Sequence, residues 1–310
     1  MKILITGGAG FGGSGLVKEL LKRNHHVTVL DLVPPNQAEN LNEVMDHPNF
    51  RYLWKTTFDI KPEDIEGNEV ICAFNAQADV PLGFTSPAYT FYQNTLGLIY
   101  LLEAVKKTGC EKFLLPSSGN VFGLPPKVPI DETCPPVPHN IYSASKIAQE
   151  AICWAYYRSY GVPIVILRNG VIYGPRMRKN IFIYIWLKNL LEGKPIIVEG
   201  GDQTRDPCYV TDTIDAWIKT IEAPKEKVVG EIFQISKGKE YKVKEIAEMC
   251  IKIIPGEIIY TDYRPGEKGQ RECFDISKAR KILGYNPKVD LEEGLLKTKR
   301  WIEKNMKRKL

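Results

Sequence analysis

A doubly wound α/β fold built on a parallel sheet follows from three features of this 310-residue chain. The apolar run Lys2 to Thr6 leads directly into Gly7-Gly8-Ala9-Gly10-Phe11-Gly12-Gly13. A helical pattern with Leu16, Val17, Leu20 and Leu21 then connects that turn to a second apolar run, Val27 to Leu30, which ends at Asp31. Short apolar runs go on alternating with helical patterns as far as Tyr173. Strands joined by crossover helices make a parallel sheet covered on both faces. The first unit has the form of a Rossmann-type dinucleotide-binding unit. Glycines let the backbone approach a pyrophosphate, and the helix that follows turns free N–H groups and a positive dipole end toward it. Gly7, Gly10, Phe11 and Gly13 are therefore candidate cofactor residues. The spacing is Gly-x-x-Gly-x-x-Gly, so the glycines count only together with the strand, helix and acid around them. A carboxylate at the end of the second strand accepts from both ribose hydroxyls and repels a 2′-phosphate, so Asp31 predicts NAD over NADP.

The other elements follow in order. Phe50 to Trp54 is a predicted strand, and Asp59 beyond it is a candidate partner for an adenine amino group. Glu69 to Phe74 is another strand. Pro87 opens a helix expected to continue through Lys107, with Leu98, Leu101, Leu102 and Val105 on its apolar face. Lys112 to Leu115 is the next strand, and Pro116 is expected to end it, because proline removes a ladder bond. Ser118 then falls at the carboxyl edge of the sheet, where open α/β folds bind ligands. A proline-rich connection leads to a helix from about Tyr142 to Tyr160 and a strand from Val162 to Leu167. After Tyr173-Gly174-Pro175 the alternation weakens. Helices near 180–192, 211–222, 242–253, 276–283 and 291–305 mix there with short strands, Ile196 to Val198 and Ile232 to Ile235. We expect a cofactor domain over residues 1–173, to which segments around 206–236 return, and a smaller α+β substrate-binding lobe over 174–310.

Composition narrows the partners. The net charge of +5 comes from residues 297–310, where seven Lys or Arg against one Glu make +6 and leave the remainder at −1. That pattern describes a solvated helix end, and no nucleic-acid partner is expected. No apolar run reaches transmembrane length, and the strand Met1 to Thr6 stands where a leader would, so a cytoplasmic protein without a membrane partner is expected. Seven scattered cysteines without a Cys-x-x-Cys pattern read as reduced thiols. The four histidines lack metal-ligand spacing, so no metal is expected.

The chemistry is placed at Tyr142-Ser143-Ala144-Ser145-Lys146. A tyrosine and a lysine four residues apart share a helix face. An ammonium beside a phenol favours the phenolate, which predicts a lowered Tyr142 pKa and a proton acceptor near neutral pH. The pair gains meaning from Ser118 and from the cofactor turn.

These motifs together resemble the extended short-chain dehydrogenase/reductase family, in its nucleotide-sugar epimerase/dehydratase branch, over nearly the whole chain. Thr6 to Gly13 is similar to the family's cofactor turn, and Asn75-Ala76-Gln77-Ala78-Asp79-Val80, Asn94 and Gly97 to its middle segments. Ser117 to Gly123 is similar to its serine strand end, Tyr142 and Lys146 to its Tyr-x-x-x-Lys. Gly201 to Asp206 and Arg264-Pro265-Gly266-Glu267 resemble the segments whose arginines hold a substrate diphosphate. The resemblance implies that Ser118, Tyr142 and Lys146 are catalytic and that Tyr142 and Lys146 also touch NAD. It implies that Arg205, Arg264 and Glu267 bind substrate, and that the two long helices pair in a homodimer. The implied reaction is NAD-dependent epimerisation at C4 of a UDP-hexose or UDP-hexuronic acid, through a 4-keto sugar.

Family dehydratases carry an Asp-Glu pair after the catalytic Ser/Thr, where this chain has Gly119 and Asn120. Elimination is therefore disfavoured. A 4-reductase, dehydratase or decarboxylase of the same family, and a non-catalytic dinucleotide-binding scaffold, stand as the alternatives. Gly12, Gly15, Phe122 and Val171 depart from the family pattern and bear on substrate identity and cofactor surroundings.

Overall fold

The computed structural model describes residues 1–264 and 267–307; Pro265 and Gly266 of the second arginine segment lie outside the described residues. Seven strands form one sheet: β1 (Lys2–Thr6), β2 (His26–Asp31), β3 (Phe50–Trp54), β4 (Val70–Ala73), β5 (Lys112–Ser118), β6 (Ile164–Asn169) and β7 (Ile232–Ile235). Their order is β7-β6-β5-β4-β1-β2-β3, and every neighbouring pair is parallel. The winding reverses between β1 and β4, which opens a crevice at their carboxyl ends. β4 and β6 are buried along their whole length, as expected of strands covered on both faces.

The main helices are α1 (Phe11–Lys22), α2 (Gly97–Thr108), α3 (Ile141–Tyr160), α4 (Phe182–Leu191), α5 (Val210–Glu222), α6 (Val243–Ile253) and α7 (Leu291–Lys307). Leu98, Leu101 and Leu102 of α2 pack with Phe113 and Leu115 on one face of the sheet. Leu16 and Leu20 of α1 pack with Trp217 of α5 on the other. That second core continues through Ile183 and Leu187 of α4, Ile246 of α6 and Leu295 of α7. The strand Ile196–Glu199 pairs in parallel with Ile258–Thr261, which periodicity did not reveal because the latter is mostly exposed.

Two expectations are corrected. Pro116 does not end β5, which pairs with β6 through Pro116–Leu167, Ser117–Arg168 and Ser118–Asn169. The Phe113 N–H faces β6, donating to the Pro163 carbonyl. Alternate residues face opposite neighbours, so Pro116 faces the β4 side, where pairing has already stopped at Cys72–Leu114. Its missing N–H therefore removes no ladder bond. The helical segment from Pro87 is also not uniform. An α-helix over Pro87–Phe91 passes through a π-helical turn, Tyr92–Leu96, before α2 begins. Such turns carry one extra residue, and buried Asn94 lies within this one.

Candidate active site

The turn after β1 is packed backbone against backbone. Gly7 has φ +69°, and a Cβ there would lie 2.8 Å from the backbone of Phe74 and Asn75. At Gly13 a Cβ would lie 2.7 Å from the Gly7 carbonyl. Gly10 is the residue before α1, no side chain caps that helix, and Phe11 is its first residue. The first-turn N–H groups are thus left for a ligand. Asp31 is 7% exposed; its Oδ2 accepts from the Ala9 N–H at 2.9 Å and its Oδ1 from the Val33 N–H at 3.0 Å. Each carboxylate oxygen keeps a lone pair for a ribose hydroxyl. An uncapped helix start, a turn with no room for side chains and an anchored carboxylate fit the diphosphate and ribose of a dinucleotide. Asp59 is exposed and turned to its own loop, accepting from Thr56 Oγ1 at 2.7 Å.

Gly12 and Gly15 find their reason in α5. A Cβ on Gly12 would lie 2.6 Å from the Trp217 ring, and one on Gly15 would overlap Ile214. Trp217 also meets Phe74 edge-on at 4.6 Å and donates from Nε1 to Asn169 Oδ1 at 3.0 Å. Gly12→Ile is expected to lower stability by about 1–3 kcal/mol through overpacking and to reduce co-purified NAD. Thermal denaturation and cofactor release on unfolding measure both, and Trp217→Leu added to Gly12→Ile should recover part of the loss.

Helix α3 presents the reactive pair. Asn140 caps it, accepting from the Ser143 N–H at 2.8 Å, which sets Tyr142 in the first turn. Tyr142 is 9% exposed, Ser118 9% and Lys146 3%. Ser118 Oγ accepts from the Asn120 backbone N–H at 3.2 Å and from its side-chain Nδ2 at 3.4 Å. With both acceptor directions engaged, its own proton remains free to donate toward the Tyr142 phenol, whose pKa it helps to lower. Lys146 Nζ donates to the Pro116 carbonyl at 2.8 Å and to Gln149 Oε1 at 2.6 Å.

The electrostatics correct the expectation about the phenol. Burial holds the Tyr142 pKa above its ordinary value, opposed by the charge of Arg178 and by the Ser118 hydrogen bond. Lys146 is not among the groups acting on the phenol; its ammonium donates to Pro116 and Gln149. Burial also brings Lys146 down to about 8, opposed mainly by Glu150. Arg178, Asn94 and Gln149 are therefore site residues that spacing alone did not single out. Only Asn94 carried a signal, through its family segment.

Gly119 is buried, and a Cβ on it would overlap the Phe274 ring. An acid cannot be seated there without displacing that ring. Gly119→Asp is accordingly expected to yield no dehydratase activity and to destabilise the protein; the 4-keto-6-deoxy product assay and a thermal melt check this.

Arg205, Arg264 and Glu267 are brought together around a second cavity of about 280 Å³, floored by Phe182 and Trp186. Arg205 pairs with Glu267 at 3.2 Å and Arg264 with Glu199. Behind Arg205 lie two buried acids raised by burial, Asp206 to about 6 and Glu272 to about 7, and Glu272 Oε1 has no hydrogen-bond partner among the described residues. An acid whose folded pKa is raised adds stability at low pH and loses it as pH rises through that value. Glu272→Gln should therefore leave stability near pH 5 little changed and raise it near pH 8, read as melting temperature against pH.

A family model for the NAD dependent epimerase/dehydratase family matches residues 3–236. The chain belongs to that family. Among family members, the UDP-glucose 4-epimerase of Mycolicibacterium smegmatis is 32% identical, over 96% of this chain and 97% of its own. The crystal structure of the Bacillus cereus UDP-glucuronic acid 4-epimerase with UDP-glucuronic acid and NAD superposes with a TM-score of 0.92 at 29% identity, covering 98% of this chain and 100% of that one. A dTDP-glucose 4,6-dehydratase of Streptomyces niveus is 29% identical over 98% of this chain and 94% of its own. Epimerases and dehydratases of the family thus lie almost equally near, and the reaction must be read from the residues after Ser118.

Proposed function

We propose that this protein epimerises a nucleotide sugar at C4, using NAD, with Ser118, Tyr142 and Lys146 as its catalytic residues. One observation carries the choice within the family: the strand end supplies an oriented hydroxyl at Ser118 but no ionisable side chain at Gly119 or Asn120. The site can move a proton on and off a sugar hydroxyl, and it lacks the acid and base that eliminating water requires. Gly7, Gly10, Phe11 and Gly13 would hold the diphosphate of NAD, Asp31 its adenosine ribose, Asp59 the adenine side, and Lys146 with Tyr142 the nicotinamide ribose. Bound NAD supplies reversible hydride transfer at the sugar carbon. Tyr142, in the phenolate form that Arg178 and Ser118 favour against burial, takes the proton from the sugar 4-hydroxyl as the carbonyl forms and gives it back when the carbon is reduced. Ser118 donates to the same oxygen, and Lys146 acts through the nicotinamide ribose it would hold.

Arg205 and Arg264 anchor the substrate diphosphate by exchanging Glu267 and Glu199 for phosphate oxygens, and Glu267 stays as an acceptor for ligand hydroxyls. A UDP-sugar is the favoured ligand, given the relatives named above. Conversion of UDP-glucuronic acid or UDP-glucose to the C4 epimer, with NAD released on denaturing the purified protein, tests the reading. Net oxidation or reduction without epimer would overturn it in favour of a 4-reductase, and NAD retention with no turnover on any sugar nucleotide in favour of a scaffold.

The division into residues 1–173 and 174–310 is part of the same reading, as are cytoplasmic residence and a homodimer. All seven cysteines are free, which supports a reducing compartment, and no helix among the described residues is long and apolar enough to cross a membrane. Tyr89, Tyr92, Tyr100 and Tyr160 expose aromatic rings along the segment before α2, on α2 and on α3, which supports pairing through those helices. A monomer mass by light scattering would remove the dimer.

A further inference from the structure

Lys146 is buried in a place that offers its ammonium few partners. Pro116 supplies a backbone carbonyl from β5 at 2.8 Å, and Gln149, one turn further along α3, supplies Oε1 at 2.6 Å. Gln149 is itself 1% exposed, and its Nε2 donates to the backbone carbonyl of Asn94 at 2.7 Å. That carbonyl belongs to the π-helical turn Tyr92–Leu96. The Asn94 side chain is also fixed, accepting from the Gln77 N–H at 2.7 Å and donating to Ser145 Oγ at 2.8 Å and to the Gln77 carbonyl at 3.0 Å. Every hydrogen-bonding direction of the Gln149 amide toward Lys146 and Asn94 is thus committed, and its orientation follows: oxygen to the ammonium, nitrogen to the carbonyl.

We propose that Gln149 is a positioning residue for the catalytic lysine, tying the Lys146 ammonium through its amide to the Asn94 carbonyl within the π-helical turn. The inference rests on the reading of Lys146 as catalytic. Gln149 touches neither sugar nor reacting atoms; it acts through Lys146. An acceptor bonded to the charged form favours that form, so Gln149 supports the ammonium against the burial that depresses it. The ionisable groups acting on Lys146 are Glu150 and Cys153 of its own helix. From β6 the Arg168 guanidinium is held by Glu150 at 2.7 Å, β5 offers the Pro116 carbonyl, and the π-helical turn offers Asn94 through Gln149. Gln149 is the uncharged side chain in that set whose removal changes no formal charge.

Two substitutions of nearly equal volume test this on the purified, cofactor-loaded protein. Gln149→Met removes the acceptor; Gln149→Glu keeps an acceptor and adds charge. The first readout is the Lys146 titration midpoint, followed by NMR of ¹³Cε-lysine and assigned with Lys146→Met. The expected result is a midpoint lowered by about one pH unit in Gln149→Met and raised by about one unit in Gln149→Glu. The second readout is turnover: kcat should fall about tenfold in Gln149→Met with KM changed less than about twofold, corresponding to one lost hydrogen bond to a charged group. Midpoints unchanged in both variants, or in Gln149→Glu alone should Gln149→Met fail to fold, would overturn the proposal. Wild-type protein without any epimerase turnover would instead overturn the proposed function, while the titration would still decide the role of Gln149.

Discussion

Tyr142→Phe is expected to lower turnover by about 10²–10⁴-fold, the range of a lost general acid–base group. The loss should fall on kcat, with co-purified NAD unchanged. The physical reason is that the Tyr142 ring is buried, so the substitution leaves its packing unchanged. Removing the hydroxyl deletes the proton acceptor and leaves the ring packing in place. Ser118 keeps both Asn120 donors in this variant. Ser118→Ala is the companion variant, with a smaller loss, because it removes a hydrogen bond to the reacting oxygen and leaves the acceptor intact. Single-turnover reduction of the cofactor, followed by absorbance at the nicotinamide band, separates the chemical step from binding. A Tyr142→Phe protein with wild-type kcat would refute the assignment of the proton acceptor.

Glu150→Leu is expected to give the largest loss of stability, about 3–5 kcal/mol, the cost of leaving a buried charge uncompensated. Glu150 and Arg168 have side chains 5% and 4% exposed and meet at 2.7 Å. Glu150 Oε1 also accepts from Ser117 Oγ at 2.5 Å, and the Arg168 guanidinium lies over the Phe122 ring at 4.9 Å. Removing Glu150 strands the guanidinium in a dry site against an aromatic face. For a chain of this size the melting temperature should drop by about 6–20 °C, taking 2–4 °C per kcal/mol. Glu150→Leu combined with Arg168→Met should recover most of the loss, since replacing both charges with apolar groups removes the desolvation term. Glu150 is also the foremost influence raising the Lys146 pKa. The double variant should therefore regain stability without regaining a normal Lys146 titration. Recovery of both together would mean that Glu150 acts on the lysine only through packing.

The sequence by itself determined what short-range physics can encode. Gly7 to Gly13, the helix after it, and Asp31 at the end of the next strand lie within one local unit, so turn, helix start and carboxylate could be read from their order. Tyr142 and Lys146 share a helix face through spacing alone. Ser118 at a strand end, and the absence of acids at Gly119 and Asn120, were equally legible, and they carry the choice of reaction.

Tertiary structure decided everything that depends on a distant neighbour. Pro116 could stay within β5 because its side of the strand had already run past β4, a matter of sheet register. Gly12 and Gly15 are shaped by Trp217 and Ile214, some two hundred residues away, and Gly119 by Phe274. The Tyr142 phenol is raised because burial outweighs nearby charge, and spacing carries no information about burial. Lys146 meets Gln149 and Pro116 because Asn94, in a π-helical turn on another segment, holds the glutamine. Helical periodicity reports which side chains share a face; it does not report which carbonyl a buried ammonium will find.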